Sequence, residues 1–221
     1  TEGPNRGAWS YAAKNAKFGD GSCSRFAMLG LHTAKRAGFE VKVETWKNAS
    51  DYYLSSKKAG SHVWGYTPEA GSTPTMTLAA MAGLAILNQH LPQDEQTKRR
   101  TEAIDRAVPY VESNAGNLWN AGHGLYSLHG LERAAHLNRW TKLGKHELSK
   151  LLDEKLTGLQ RPDGSWAYVG GGVAGFGGVG EQTTEQKEAA AAAAKLTRQS
   201  NDLIATSFAL MCLTGQPEPK L

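Results

Sequence analysis

Asp202-Leu203-Ile204-Ala205-Thr206-Ser207-Phe208-Ala209-Leu210-Met211-Cys212-Leu213 begins with a polar residue and continues as an almost charge-free run of small and large apolar residues. The same register recurs three times upstream. From Asp20 it meets Ser24, Phe26, Ala27, Met28, Gly30 and Leu31, and from Thr73 it meets Thr77, Ala79, Ala80, Met81, Gly83 and Leu84. From Asn120 it meets Gly124, Tyr126, Ser127, Leu128, Gly130 and Leu131. Each copy reads as a helix with a polar first turn. A helix lacking a polar side has to be covered on every side, so these four are expected in the interior.

Amphipathic, charged segments alternate with these copies at a period of about fifty residues, longer than tetratricopeptide or ankyrin repeats. The pattern predicts helices over residues 22–36, ended by Gly38, and 47–58, with Trp46, Tyr53 and Leu54 on one side. Further helices are expected over 74–89, broken by Pro92, and over 94–113, carrying Ile104, Val108 and Val111 with Pro109 as a kink. The last two before the fourth copy are 124–139 and its charged partner 144–159. A Gly-rich run over 169–180 and a tract of alanines between Glu188 and Lys195 read as an insertion at about 167–198. The expectation is one all-α domain over residues 1–221, with buried helices side by side under a charged layer. Gly30, Gly83 and Gly130 share one repeat position, where a side chain is expected to collide with a neighbouring backbone.

The chain has 221 residues, 40% apolar and 21% charged, with a net charge of +4. That composition supports a core and argues against disorder. Lys57-Lys58 and Lys98-Arg99-Arg100 fall on the charged helices and read as solvated faces. Basic residues interleaved with aromatics are lacking, so nucleic acid is not an expected partner. Cys23 and Cys212 make no disulfide framework, and their places in two helices put the sulfurs at different heights. No apolar run approaches the ~20 residues that span a bilayer. A start at Thr1 reads as a processed or excised piece of a longer chain or assembly, which leaves the compartment open, a bacterial periplasmic or exported setting included.

Gln160-x-x-x-Gly164-x-Trp166 matches the QW motif of terpene cyclases, and Gly7-x-Trp9 and the loops ending at Trp64 and Trp119 look like weaker copies. Together with Phe208-Ala209-Leu210-x-x-Leu213 they resemble the squalene cyclase and protein prenyltransferase superfamily. The resemblance covers nearly the whole chain from Gly7 to Gly215 and implies an α/α toroid, here a partial or open ring of about four inner and outer helix pairs. Arg25 to Leu31, Leu125 to Arg133 and Pro162 to Trp166 are also similar to uncharacterised bacterial proteins with prenyltransferase/squalene-oxidase repeats, frequent in planctomycetes.

The chemistry of those relatives is not carried over. The Asp-x-Asp-Asp acid of the cyclases does not occur, and Asp20 and Asp202 each begin a helix, where Asp is a natural cap. Both are also candidates to converge on one cavity mouth. In the prenyltransferase zinc pattern, Asp20-Gly21-Ser22-Cys23 is one residue too long and Ala205 stands where a histidine belongs. Cys23 is therefore expected to be an ordinary buried thiol. Gly178-Val179-Gly180-Glu181-Gln182 resembles an internal thioester with valine in place of its cysteine. His123, His129 and His136 show no metal-ligand spacing, and no nucleophile elbow occurs. No metal or cofactor is expected.

The sequence thus points to a non-catalytic helical-repeat binding module whose partner is a protein, a peptide or an apolar small molecule in a central cavity. Candidate ligand-facing residues are Asp20, Arg25, Trp64, Trp119, His123, Tyr126, Trp166 and Asp202. Two other readings stand beside it. One is an isoprenoid-processing enzyme in which Phe26, Tyr126 and Phe208, at one repeat position, stabilise cations instead of serving as core. The other is a structural spacer in a larger envelope protein.

Overall fold

In the computed structural model, the described residues are 6–11, 18–58, 60–118, 124–167 and 202–213. Helices α1 (Gly21–Arg36), α2 (Val43–Ser56), α3 (Pro74–His90), α4 (Glu95–Ser113), α5 (Gly124–Asn138) and α6 (Leu148–Leu159) follow one another, and residues 202–213 form α7. The expected insertion at about 167–198 lies, beyond Ala167, outside the described residues, as do Trp119, Asn120 and His123.

Helix ends follow the local chemistry. The Asp20 carboxylate accepts from the Cys23 N–H at 2.8 Å, and the Thr73 hydroxyl accepts from the Met76 N–H at 3.1 Å. Pro74 then starts α3 at a position whose missing N–H costs nothing. Asp94 and Thr97 cap α4 reciprocally, each side chain bonded to the other's backbone N–H. Gly38, at φ +89°, follows α1 in the left-handed conformation that glycine adopts without a Cβ penalty. Pro109 sits inside α4 on its exposed side, and the helix continues to Ser113.

Helix α3 is the centre. Every residue from Thr75 to Leu87 is buried, and α1, α2, α4 and α5 all pack on it. Each large aliphatic side chain buried there contributes about 1.5–3 kcal/mol, which explains why this copy tolerates no charge. The main core joins Met28 of α1, Trp46 and Tyr53 of α2, Leu84 and Ile86 of α3, Ile104 of α4 and Leu131 of α5. A second, smaller core joins Leu125 and Leu128 of α5, Leu156 of α6, Trp166, and Ala205, Ala209 and Cys212 of α7.

Several expectations are corrected. Helix α2 starts at Val43, before the expected 47, so that Trp46 lies inside it and is buried. The stretch before α6 is a short hairpin pairing Lys142–Leu143 with His146–Glu147, turned by Gly144 at φ +56°, and α6 begins only at Leu148. Helices α1 and α7 are not buried all round: α1 covers only Ser24, Arg25, Met28 and His32, and α7 only Ala205, Ala209 and Cys212, with Leu203 70% exposed. The three equivalent glycines do not share one steric reason either. A Cβ on Gly83 would meet the Tyr53 ring at 2.7 Å and one on Gly130 the Arg25 guanidinium at 3.3 Å, while Gly30 has nothing within 4 Å.

The triplet Lys98-Arg99-Arg100 also divides. Lys98 and Arg99 are exposed, but Arg100 is 1% exposed. Its Nε donates to Asn88 Oδ1 at 2.7 Å, Nη1 to Ser50 Oγ at 3.1 Å and Nη2 to Thr97 Oγ1 at 2.9 Å. Three side-chain oxygens replace the water the guanidinium loses, so this cation ties α2, α3 and α4 together. No described helix is long and apolar enough to cross a membrane.

Candidate binding site

The loops ahead of α1, α3 and α7 are anchored in the same way. The fifth residue of the repeat register supplies a hydroxyl, which accepts from the backbone N–H of the loop tryptophan. The bond runs from Trp9 to Ser24 at 3.1 Å, from Trp64 to Thr77 at 3.1 Å and from Trp166 to Thr206 at 3.1 Å. The indole N–H groups then reach back to the preceding helix: Trp64 Nε1 donates to Tyr53 O at 2.9 Å, and Trp166 Nε1 to Leu156 O at 2.7 Å. Both indoles are buried with their donors satisfied. Trp64 and Trp166 therefore staple consecutive helices and hold the register that aims the next position inward.

That next position, two residues on, is Phe26, Ala79, Tyr126 or Phe208. The three aromatics meet. Ring centroids are 6.0 Å apart for Phe26 and Tyr126, 6.2 Å for Phe26 and Phe208, and 5.4 Å for Tyr126 and Phe208. They line one cavity of about 390 Å³ together with Tyr11, Ser22, Tyr66, Gly124, Leu125, Ile204 and Ala205. That volume falls within the ~300–1,000 Å³ of ordinary small-molecule sites. Ser22 belongs to the first turn of α1, Gly124 and Leu125 to that of α5, and Ile204 to that of α7. The cavity thus opens at the amino ends of three helices. Tyr126 donates its hydroxyl proton to Ser22 Oγ at 3.2 Å, and Phe26 is 44% exposed at the rim.

Behind the rings lies Arg25, 1% exposed. Its guanidinium carbon stands 4.4 Å from the Tyr126 centroid and 5.5 Å from that of Phe26. Nη2–H donates to His129 Nδ1 at 2.7 Å, and Nη1–H to Tyr126 O at 3.3 Å, while Nε has no partner. Because arginine only donates, His129 accepts through Nδ1 and carries its proton on Nε2. Burial, then the charges of Arg25 and Arg133, push the His129 pKa down to about 3, so this imidazole is neutral at ordinary pH. Nearby, Glu132 is paired to Arg133.

The candidate acids are occupied. Asp20 spends a carboxylate oxygen on the α1 cap, and Asp202 pairs with Arg161 Nη1 at 2.9 Å. Cys23 is half-buried instead of buried, and burial followed by the Asp20 charge pushes its thiol up, away from reactive thiolate. Burial raises Cys212 to about 12. Among the described residues, no three His, Cys, Asp or Glu side chains gather as a metal site.

Of the described candidates from the sequence, Tyr126 lines the cavity, and Arg25 stands against its wall. Trp64, Trp166, Asp20 and Asp202 hold its frame without lining it. Trp119 and His123 lie outside the described residues. Tyr11, Tyr66 and Ile204 were not singled out by the sequence, because the first two sit in loops without periodicity and the third in a helix expected to be covered. Comparison with known proteins adds no relative: no family model, curated protein or solved structure matches the chain.

Proposed function

We propose that this chain is a non-catalytic helical-repeat binding module of the α/α-toroid type, taking an apolar ligand into the cavity among α1, α5 and α7. The observation that carries the reading is the meeting of three repeat-equivalent aromatics, Phe26, Tyr126 and Phe208, around about 390 Å³ of space. Aromatic walls with a few hydroxyls at one end suit a ligand that is mostly apolar with a polar tip. A toroid is supported by the order of packing: α1 and α5 flank α3, α2 and α4 pack on α3 and on each other, and Phe26 meets Phe208 of α7. Absence of catalysis is supported by the commitments of Asp20, Asp202 and His129, each of which already serves a structural bond.

The test uses the neutral fluorophore N-phenyl-1-naphthylamine. Titration should give saturable fluorescence enhancement and a raised melting temperature, both lost in Ile204→Trp, which fills the mouth from a half-exposed position outside the core. Enhancement that survives Ile204→Trp unchanged would place the dye elsewhere and sink the reading. Turnover of a prenyl diphosphate or squalene under the same conditions would favour the enzyme.

A further inference from the structure

Among the described residues, the wall of the aromatic cavity holds no Asp, Glu, Lys, Arg or His. The groove of about 970 Å³ at the carboxy ends of α3 and α5 differs, with Asn88, Gln89, His136 and Arg139 in its wall. The ionic groups around the aromatic cavity are engaged elsewhere. Asp20 caps α1, Asp202 pairs with Arg161, and Arg25 stands behind the rings, bonded to His129 and to the Tyr126 carbonyl. An ion entering the cavity gives up water and meets no counter-charge in the wall, so burial disfavours either sign.

What the wall offers is rings and hydroxyls. Tyr11, Phe26, Tyr66, Tyr126 and Phe208 are five of its ten lining residues. Against such walls an aromatic body gains more than its buried area alone supplies. Four hydroxyls line the same space, on Tyr11, Ser22, Tyr66 and Tyr126, and Tyr126 donates to Ser22 Oγ at 3.2 Å. A ligand hydroxyl both donates and accepts, so it extends this row, whereas a carboxylate only accepts and an ammonium only donates. We infer that the site selects an uncharged aromatic alcohol, its rings against Phe26, Tyr126 and Phe208 and its hydroxyl against Ser22. This inference rests on the proposed cavity function and names its ligand class.

The experiment is calorimetric titration of the whole chain with 1-naphthylmethanol and four variations on it. These are 1-methylnaphthalene, 1-naphthoate, 1-naphthylmethylammonium and decahydro-1-naphthylmethanol, the same alcohol with saturated rings. The aromatic alcohol should bind most tightly. Each ion should be at least about tenfold weaker, the scale of an uncompensated charge in a half-closed site. The methyl compound should be about three- to tenfold weaker, the worth of one neutral hydrogen bond, and the saturated alcohol at least about twofold weaker. In Ser22→Ala, and separately in Tyr126→Phe, the gap between alcohol and methyl compound should shrink to less than about twofold. Ions that bind as tightly as the alcohol would overturn the charge exclusion and leave the cavity function standing. A saturated alcohol that matches the aromatic one would overturn the preference for rings. A gap between alcohol and methyl compound that persists in both variants would overturn the place given to the hydroxyl. Binding of none of the five would overturn this inference together with the cavity function.

Discussion

Arg25 and His129 are joined by a 2.7 Å hydrogen bond that links α1 to α5 across 104 positions of sequence. The bond requires a neutral imidazole acceptor, and burial, reinforced by the charges of Arg25 and Arg133, keeps it so. One contact therefore fixes the tautomer of a histidine, the position of a buried cation and the spacing of two helices that border the cavity.

A pH dependence follows from that contact. His129 sits at about 3 and His90 at about 4, the latter lowered by burial and then by His32, Lys35 and Arg36, against an ordinary 6.5. Below 6.5 the unfolded chain takes up protons that the folded chain refuses, so stability falls as pH drops towards 4. For His129 the loss between pH 7 and pH 5 is about 2 kcal/mol, or roughly 5 °C of melting temperature. Replacing His129 with Gln, whose carbonyl still accepts from Arg25, should flatten this slope. A melting temperature that does not change between pH 7 and 5 would refute it.

The loop tryptophans give a second outcome. Thr77→Val keeps the shape of the side chain but leaves the buried Trp64 N–H without its acceptor, which costs about 1–3 kcal/mol. Thr206→Val does the same to the partly buried Trp166 N–H and should cost less. Serine at either place should restore most of the loss. Urea denaturation of the four variants checks the order.

Glycines at one repeat position should respond in opposite directions. Gly83→Ala drives a methyl into the Tyr53 ring, and overpacking of a rigid core costs about 1–3 kcal/mol. Gly30→Ala enters open space and should gain about 0.5–1 kcal/mol from the lower conformational freedom of the unfolded chain. Thermal melts of the two single variants should move to opposite sides of the parent.

Arg100 should behave as a structural clamp. Arg100→Lys keeps the charge but cannot make three divergent bonds to Asn88, Ser50 and Thr97, and a loss of about 2–3 kcal/mol is expected. Ligand binding at the cavity should be unchanged in the folded fraction, because Arg100 lies among α2, α3 and α4. Chemical denaturation paired with dye titration separates the two effects.

Much of the architecture is written locally. Asp20, Thr73 and Asp94 announce helix starts, because their side chains accept from backbone donors only a few residues away. The charge-free run of α3 announces burial, and the spacing of Ser24, Thr77 and Thr206 carries the loop anchors before any helix is placed. Phe26, Tyr126 and Phe208 could be aligned on paper as equivalents, but lining a cavity and filling a core have the same periodicity.

What the chain order determined by itself is the all-α character, the alternation of bare and charged helices and the repeat register, since each depends on interactions within a few turns of one helix. The fold had to be formed before Arg25 and Arg100 could be seen as buried, α7 as uncovered on one side, and Tyr11, Tyr66 and Ile204 as neighbours at one cavity. Burial is a property of what lies opposite, and for Arg25 and the residues it touches, the opposite wall comes from a hundred positions further along.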